Sequence, residues 1–280
     1  MKYRPIAAIA ALTLLGTALA GCSPSPTTNT SDTSASNTAT TSDTSTAAAD
    51  LNLITAGTLT VCSDVPYAPF EYEDSTSPSG YVGFDIDLIT AIADGLGLKV
   101  VVLPTDFTAL QSGVALAAGQ CDIGASAITI TDERKANIDF TDPNYDSLQS
   151  LMVRTDSGIK TLADLAGKKI GVQAGTTGEI YTNANKPADA QTVAFPTDGE
   201  MWLAIQAGQV DALLQDLPVN QVHVKADSNY VIAEQYNTDE HYGFALAKGK
   251  NPALLAAVNA GLKTLRDNGT YQTLYNKYFG

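Results

Sequence analysis

Residues 85–103 read DIDLITAIADGLGLKVVVL, and this stretch decides the fold class. Its apolar residues at 86, 88, 89, 92, 93 and 96 recur with helical spacing, which predicts a helix over 85–96. The run KVVVL at 99–103 predicts a strand directly after it. Outward from this pair, a strand is predicted at 58–63, a helix at 107–118 and a strand at 122–127. A chain in which strands and helices alternate is typical of an α/β fold.

A second series of alternating elements begins near Thr161. Its predicted elements are a helix at 162–166, a strand at 169–173, a helix from Gly178, a strand at 192–194, a helix at 199–207 and a strand at 212–215. Two successive series predict two α/β lobes, each with a parallel-type sheet.

Two extended runs, at 148–154 and 241–247, are predicted to carry the chain between the lobes. The first lobe then comprises 51–150 and 243–280, and the second comprises 151–242. The segment 252–279 carries two helix patterns that Asn268-Gly269 separates. Because ligands of open α/β lobes bind at the carboxyl ends of strands, we expect the functional site in the cleft between the lobes.

The N-terminal residues predict an export signal rather than part of the fold. Lys2 and Arg4 precede an apolar run, 6–20, which is short for a membrane span and has the form of a signal peptide. The run ends in Leu-Ala-Gly-Cys, which resembles a lipobox and predicts a signal over 1–21 and lipidation of Cys22. An ordinary secretory signal with a coincidental cysteine is the alternative. Ser and Thr supply 16 of the next 28 residues, so 22–50 is predicted to be a flexible tether.

Composition and charge exclude several classes of protein. Sixteen Lys and Arg residues oppose 30 Asp and Glu residues, a formal charge of −14, which argues against nucleic-acid binding. Only two histidines occur, so a multi-histidine metal site is excluded.

If the strands that carry Cys62 and Cys121 are parallel neighbours, an offset of about three residues separates the cysteines by roughly 10 Å. We therefore predict no disulfide between them.

Arg134 is the first candidate for ligand binding. It follows the acidic first turn of a helix, in Thr-Ile-Thr-Asp-Glu-Arg at 129–134, where a cation is not favoured by the helix dipole. A carboxylate is the natural bidentate partner of an arginine. The partner is either a ligand or a neighbouring residue such as Asp139.

Two strand ends add complementary groups. The sequence GVQAGTTGE at 171–179 predicts a strand, a glycine turn and a helix start, whose amides can hold an anion. It lacks the lysine of a nucleotide-binding P-loop, and a plain strand–helix turn is the alternative. Asp216 lies at the carboxyl end of the strand predicted at 212–215. Its carboxylate can bind an ammonium group, or it can cap the next helix.

A proline-bracketed loop, DVPYAPF at 64–70, brings an acid, Asp64, and a ring, Tyr67, to the same cleft. Phe107, after the second strand, is a further ring or a core residue. One cation with helix-start amides, one carboxylate and flanking rings together predict a receptor for a zwitterionic α-amino acid.

The sequence resembles the bacterial extracellular solute-binding proteins of family 3, the polar amino acid receptors of ABC importers. The resemblance implies a two-lobe, type II periplasmic-binding-protein (Venus-flytrap) fold with two crossover hinge strands, without a cofactor or metal. Six stretches carry it, in order, over nearly all of 51–280: GTLTVCSDVPYAPFEYE, GYVGFDIDLITAIADGLGL, ASAITITDERKANIDFTDPNY, GKKIGVQAGTTGE, GQVDALLQD and LRDNGTYQTLYNKYF.

The resemblance also implies a role for each site residue. Arg134 grips the ligand α-carboxylate, with help from Ser126, Thr129 and the turn residues Thr176 and Thr177. Asp216 holds the α-ammonium group, and the rings of Tyr67 and Phe107 pack against the ligand. The complete predicted site is Asp64, Tyr67, Phe107, Ser126, Ala127, Thr129, Arg134, Gln173, Thr176, Thr177 and Asp216.

The ligand side chain is predicted to face Asp64 and Gln173. An acid beside a neutral amide repels a glutamate or aspartate ligand, so glutamine or a basic amino acid is expected. The expected partners are a permease with its ATPase subunits, and the membrane through lipidated Cys22 alone, with the protein a monomer. Two rival functions are an enzyme of the cyclohexadienyl dehydratase type, for which His241 is the candidate acid or base, and a ligand sensor without transport.

Overall fold

The computed structural model describes residues 51–280, so the predicted signal, Cys22 and the tether lie outside the described residues. The strands are β1 (Thr58–Ser63), β2 (Tyr72–Glu73), β3 (Tyr81–Val82), β4 (Lys99–Pro104), β5 (Ile123–Gly124), β6 (Ile138–Phe140), β7 (Tyr145–Arg154), β8 (Lys169–Gln173), β9 (Gln191–Phe195), β10 (Ala212–Asp216), β11 (Tyr230–Tyr242) and β12 (Ala245–Ala247). The α-helices are α1 (Phe84–Gly95), α2 (Phe107–Gln111), α3 (Val114–Ala117), α4 (Asp132–Lys135), α5 (Thr177–Asn185), α6 (Asp198–Gln206), α7 (Leu217–Ala226), α8 (Pro252–Asp267) and α9 (Thr270–Phe279), and a 3₁₀ turn covers Leu162–Leu165.

Ten of the strands form two five-stranded sheets, which confirms the two-lobe α/β fold, and β2 and β3 form a separate antiparallel pair. The first sheet has the order β4-β1-β5-β12-β6, and the second has the order β11-β7-β10-β8-β9. The expectation of a parallel-type sheet in each lobe is wrong in part, because both sheets are mixed. β12 runs antiparallel to β5 and β6, and β7 runs antiparallel to β10 and β11. These antiparallel strands flank the crossings between the lobes.

The chain crosses between the sheets at 141–144 and again at 243–244. The second crossing lies within the run 241–247 predicted for it. The first lies before the run 148–154, which instead belongs to β7 and pairs with β10 and β11 on its two sides. The sequence pattern of an extended apolar run is the same in a connecting segment and in a central strand. Only the pairing of this run with two neighbouring strands shows that it belongs to the second sheet.

Aromatic side chains fill the junction where both crossings meet. Tyr145 begins β7 and lies opposite Tyr242, which ends β11. The ring centroid of Tyr145 lies 5.1 Å from that of Phe70, 5.7 Å from that of Phe84 and 4.7 Å from that of Phe279. Because such rings bury large apolar areas, this cluster stabilises the hinge against the first lobe and the C-terminal helix.

Glycine and alanine backbones shorten two predicted elements. The predicted helix at 107–118 is divided into α2 and α3 by Gly113, whose φ is 79°. The predicted strand at 122–127 keeps only Ile123 and Gly124 in register, and Ala127 turns away with a φ of 46°. Such a φ is uncommon for a residue with a Cβ, and it directs the chain after β5 into the cleft.

Cys62 and Cys121 form a disulfide, so the prediction of no bridge is wrong. Cys62 pairs with Gly124 across β1 and β5, and the offset along the strand is the three residues expected. The advance along the strand is shorter than three residues, however, because the Asp122 amide donates to the Thr60 carbonyl and the Ala125 amide to the Cys62 carbonyl, so three steps around β5 match only two steps of β1. The two Cα atoms lie 5.7 Å apart, within the range that a disulfide requires.

Within residues 51–280, none of the helices combines the length and the apolar character that crossing a bilayer requires.

Candidate functional site

A small cavity lies between the two lobes, where the ends of β1, β5, β8 and β10 meet. Its volume is about 10 Å³, roughly the space of one water molecule. The lining residues are Asp64, Tyr67, Phe107, Ser126, Ala127, Thr129 and Arg134 from the first lobe, and Gln173, Thr176, Thr177 and Asp216 from the second. The structure therefore brings together all the residues that the sequence predicts for the site.

Arg134 is a buried cation held by neutral acceptors. Its side chain projects from α4, whose N-cap hydroxyl, on Thr131, accepts from the Arg134 amide. Only 5% of Arg134 is exposed. Its Nη1 donates to the Thr129 carbonyl and its Nη2 to the Gly175 carbonyl in the other lobe, both at 2.9 Å. Burial lowers its pKa to about 10, so the guanidinium remains charged at neutral pH.

The guanidinium of Arg134 has no carboxylate within ion-pair distance among residues 51–280. Asp139, the alternative partner considered from the sequence, pairs with Lys248 at 2.9 Å. The Phe107 ring lies against the guanidinium, with 5.4 Å between the ring centroid and Cζ. A buried cation that lacks an anionic partner is a strong site for a ligand carboxylate.

Asp216 ends β10 and faces the cavity from the second lobe. One carboxylate oxygen accepts from the Tyr67 hydroxyl at 2.7 Å, and the other accepts from Gln149 Nε2 at 2.6 Å. The bond to Tyr67 joins the two lobes. Burial raises the pKa of Asp216 to about 7, and the nearby carboxylate of Glu240 contributes to the rise. A nearby ammonium group would favour its charged form.

Asp64 and Gln173 meet at another part of the cavity. Gln173 Nε2 donates to Asp64 at 2.5 Å and also to the Pro196 carbonyl at 3.1 Å. Ser126 Oγ accepts from the Asp64 amide, which fixes the loop after β1 against the chain after β5. Burial raises the pKa of Asp64 to about 6.

The N terminus of α5 supplies the turn between β8 and the helix. The Thr176 hydroxyl caps this helix by accepting from the Glu179 amide at 3.1 Å. Glu179 in turn accepts from the Gly175 amide at 2.7 Å, so that amide already has a carboxylate partner within the chain. Fewer backbone amides at this helix start are therefore free to bind an anion than the sequence predicted.

Four polar residues next to the cavity were missed by the sequence reasoning. Ser126 donates to buried Glu71 at 2.7 Å, and the Ala127 amide donates to buried Asp85 at 2.8 Å. Burial raises the pKa of Glu71 well above its usual range and that of Asp85 to about 7. The other two residues are Gln149 and Glu240. Gln149 and Glu240 come from β7 and β11, Glu71 from the loop before β2, and Asp85 from the first turn of α1. No local motif for ligand binding marks any of the four.

Residues 59–280 match the model of the bacterial extracellular solute-binding proteins, family 3. The chain belongs to this family. A "probable histidine-binding protein" of Campylobacter jejuni is 34% identical over 80% of this chain and 86% of its own length. An ancestral arginine-binding protein superposes with a TM-score of 0.73 as the complex with arginine and 0.74 as the complex with glutamine. These two structures are 38% and 36% identical to this solute-binding protein, and the superpositions cover 80% and 81% of it and 99% of each ancestral chain.

One further structural relative concerns the enzyme alternative. The ancestral amino acid-binding protein AncCDT-1, described as a precursor of cyclohexadienyl dehydratase, is 39% identical with a TM-score of 0.70, over 80% of this chain and 96% of its own. In this solute-binding protein, His241, the candidate acid or base, is absent from the cavity lining. Its side chain is 45% exposed and pairs with Asp146 at 2.7 Å. The residue on which the enzyme alternative rested therefore lies outside the cavity.

Proposed function

We propose that this solute-binding protein receives a polar L-amino acid between its lobes and delivers it to an ABC importer. The single observation that carries the proposal is the pairing of Arg134 and Asp216 in one cavity, one from each lobe. Arg134 binds the α-carboxylate, since its guanidinium can form two parallel hydrogen bonds to it. Asp216 binds the α-ammonium group. The solute-binding relatives named above support an amino acid as the ligand.

The remaining residues orient the ligand and shape its pocket. Ser126, Ala127, Thr129, Thr176 and Thr177 surround the main-chain groups of the amino acid. Tyr67 and Phe107 pack against its apolar part.

Asp64 and Gln173 face the ligand side chain and select it. A cationic side chain offsets the buried charge of Asp64, and a glutamine amide donates to it, whereas an acidic side chain is repelled.

Binding requires the lobes to separate and close again. A cavity of about 10 Å³ is far smaller than an amino acid. The contacts from Tyr67 to Asp216, from Gln173 to Asp64 and from Arg134 to the Gly175 carbonyl all join the lobes. When an amino acid binds, these polar groups form hydrogen bonds with the ligand in place of the hydrogen bonds that join the lobes in the free protein.

The N-terminal sequence supports a lipid anchor. We place the mature N terminus at Cys22, lipidated at the cell membrane, with 22–50 as a tether that holds a monomeric receptor outside the cytoplasm. The receptor has no catalytic function in this proposal. Mass spectrometry of the N-terminal peptide from the membrane fraction tests the anchor, and a peptide that begins at Cys22 without a lipid overturns it.

The test of the ligand class is a thermal-shift panel of the twenty L-amino acids on the full-length protein. A ligand at a hundred times its Kd stabilises by about 2.7 kcal/mol, a shift of about 5 °C for a body of this size. Arg134→Lys should lose the shift, because an ammonium group cannot grip a carboxylate in the bidentate manner. The matched control is Arg154→Lys, an exposed arginine paired with Asp156. If no amino acid shifts the wild type, or if both variants respond alike, the proposal is wrong.

A further inference from the structure

Glu240 is a buried carboxylate that a bulge in β11 directs toward the cleft. Tyr236 lies opposite Gln149 of β7, and Glu240 lies opposite Ser147. Four steps along β11 therefore match two along β7, so that two extra residues are accommodated. Within this bulge Asp239 adopts a φ of 53°, an uncommon backbone conformation for a residue with a Cβ. Bulges of this kind redirect side chains beside functional sites, and Glu240 itself is 7% exposed.

The carboxylate of Glu240 accepts from donors in both lobes. Thr177 Oγ1 donates to its Oε2 at 2.8 Å, and Thr129 Oγ1 donates to the same oxygen at 3.1 Å. Gln149 Nε2 lies 3.2 Å from each carboxylate oxygen of Glu240, and it also donates to Asp216. Glu240 is thus linked directly to two lining threonines, and to Asp216 through one shared amide.

A hydroxyl group has a single hydrogen to donate. When Thr129 and Thr177 give theirs to Glu240, only their lone pairs remain for the cavity, so both hydroxyls act as acceptors toward a ligand. An acceptor suits an ammonium group and repels a carboxylate. Hydrogen bonds to a charged acceptor are the stronger ones, which favours this orientation of the hydroxyls.

From these contacts we infer that Glu240 is a positioning residue for the ammonium end of the ligand. It holds the hydroxyls of Thr129 and Thr177 as acceptors, and it adds negative potential beside Asp216. The ligand α-carboxylate then depends on Arg134 and on backbone amides rather than on the hydroxyls of these two threonines. The inference rests on the proposed function, because it assumes an α-amino acid in the cleft.

The experiment compares amino acids with analogues that lack only the ammonium group. Isothermal titration calorimetry gives the Kd of arginine and glutamine, and of 5-guanidinopentanoate and glutaramate, for the full-length wild type and for Glu240→Gln. We expect the variant to bind the amino acids about tenfold more weakly, the factor for loss of a charged acceptor, and the deaminated analogues equally well. Glu234→Gln is the matched control, a glutamate of the same strand that accepts from the Leu162 amide and the Tyr236 hydroxyl.

An increase in amino acid affinity on Glu240→Gln, rather than the expected decrease, overturns the inference. If Glu240 instead withholds hydroxyl hydrogens from the ligand carboxylate, Glu240→Gln binds amino acids and deaminated analogues more tightly. Equal weakening of both classes also overturns it, since that result indicates a structural role. If the wild type binds no amino acid, the proposed function fails and the inference with it, whereas binding by the wild type with an unchanged variant overturns the inference alone.

Two further measurements do not depend on a single variant. Thr177→Val should weaken the binding of amino acids more than the binding of their deaminated analogues. An equal loss of affinity for both classes would contradict the inference even if Glu240→Gln fails to fold. The pH midpoint of binding should also fall in Glu240→Gln, because Glu240 helps to raise the pKa of Asp216. The other charged or titratable groups that interact with Asp216 are unchanged in that variant; they are Arg134, Glu71, Tyr67, Tyr145 and Tyr242.

Discussion

The disulfide between Cys62 and Cys121 should contribute a large share of the stability of the protein. The two cysteines are 59 residues apart in the sequence, and closing a loop of that length restricts the unfolded chain. The chain-entropy model assigns about 4 kcal/mol to such a loop. For a body of about 230 residues, this free energy corresponds to a fall in Tm of roughly 8 °C when the link is removed.

The assay is thermal unfolding of the wild type and of Cys62→Ala/Cys121→Ala, with and without a reductant. We expect the reductant to lower the Tm of the wild type to that of the double variant and to leave the double variant unchanged. Thiol titration in denaturant, without the reductant, should find neither cysteine reactive in the wild type. A Tm difference below about 2 °C between the proteins would show that the disulfide contributes little stability, and reactive thiols at both positions would show that it is absent.

Three further predictions concern the cleft. Burial raises the pKa of Asp216 to about 7, so the unfolded chain ionises first and the free protein should lose stability as the pH rises from about 4 to 7. Amino acid affinity should rise over the upper part of that range, because the ammonium group selects the charged carboxylate. Melts and calorimetry check both trends. Asp216→Asn should abolish the rise in affinity and only reduce the slope of the stability trend, since buried Asp64, Glu71 and Asp85 also contribute to that slope. Asp64→Asn should weaken the binding of arginine and lysine about tenfold more than the binding of glutamine, as measured by calorimetry. An equal loss of affinity for all three would show that Asp64 does not select the ligand side chain. Gly178→Ala should lower the Tm by several degrees and weaken binding, since its Cβ would lie 2.9 Å from Gln149 Oε1, whereas Gly199→Ala, at the same position of α6 with no atom nearer than 3.9 Å, should leave both unchanged.

Local pattern was sufficient for the elements that are long, periodic and bounded by turn residues. β1 and β8 begin and end where the sequence predicts, and α1 differs from its predicted range by one residue at each end. The break between α8 and α9 falls at Gly269, as Asn268-Gly269 predicted, because the glycine there has a φ of 81°. The predicted site residues lie at strand ends and turns, and the family resemblance predicted that they group in one cleft. In the structure they line one cavity between the lobes.

Spacing along strands and helices therefore predicted the α/β alternation and the two lobes, whereas the grouping of the cavity-lining side chains came from the family resemblance. Tertiary structure alone decided the features that depend on distant chain segments. The irregular pairing of β5 with β1 placed Cys121 beside Cys62, and the bulge around Asp239 directed Glu240 at the threonines of both lobes. Pairing across the sheets also put 148–154 inside the second lobe. These contacts join residues tens of positions apart, and the free energy that selects them comes from the packed fold rather than from any local preference.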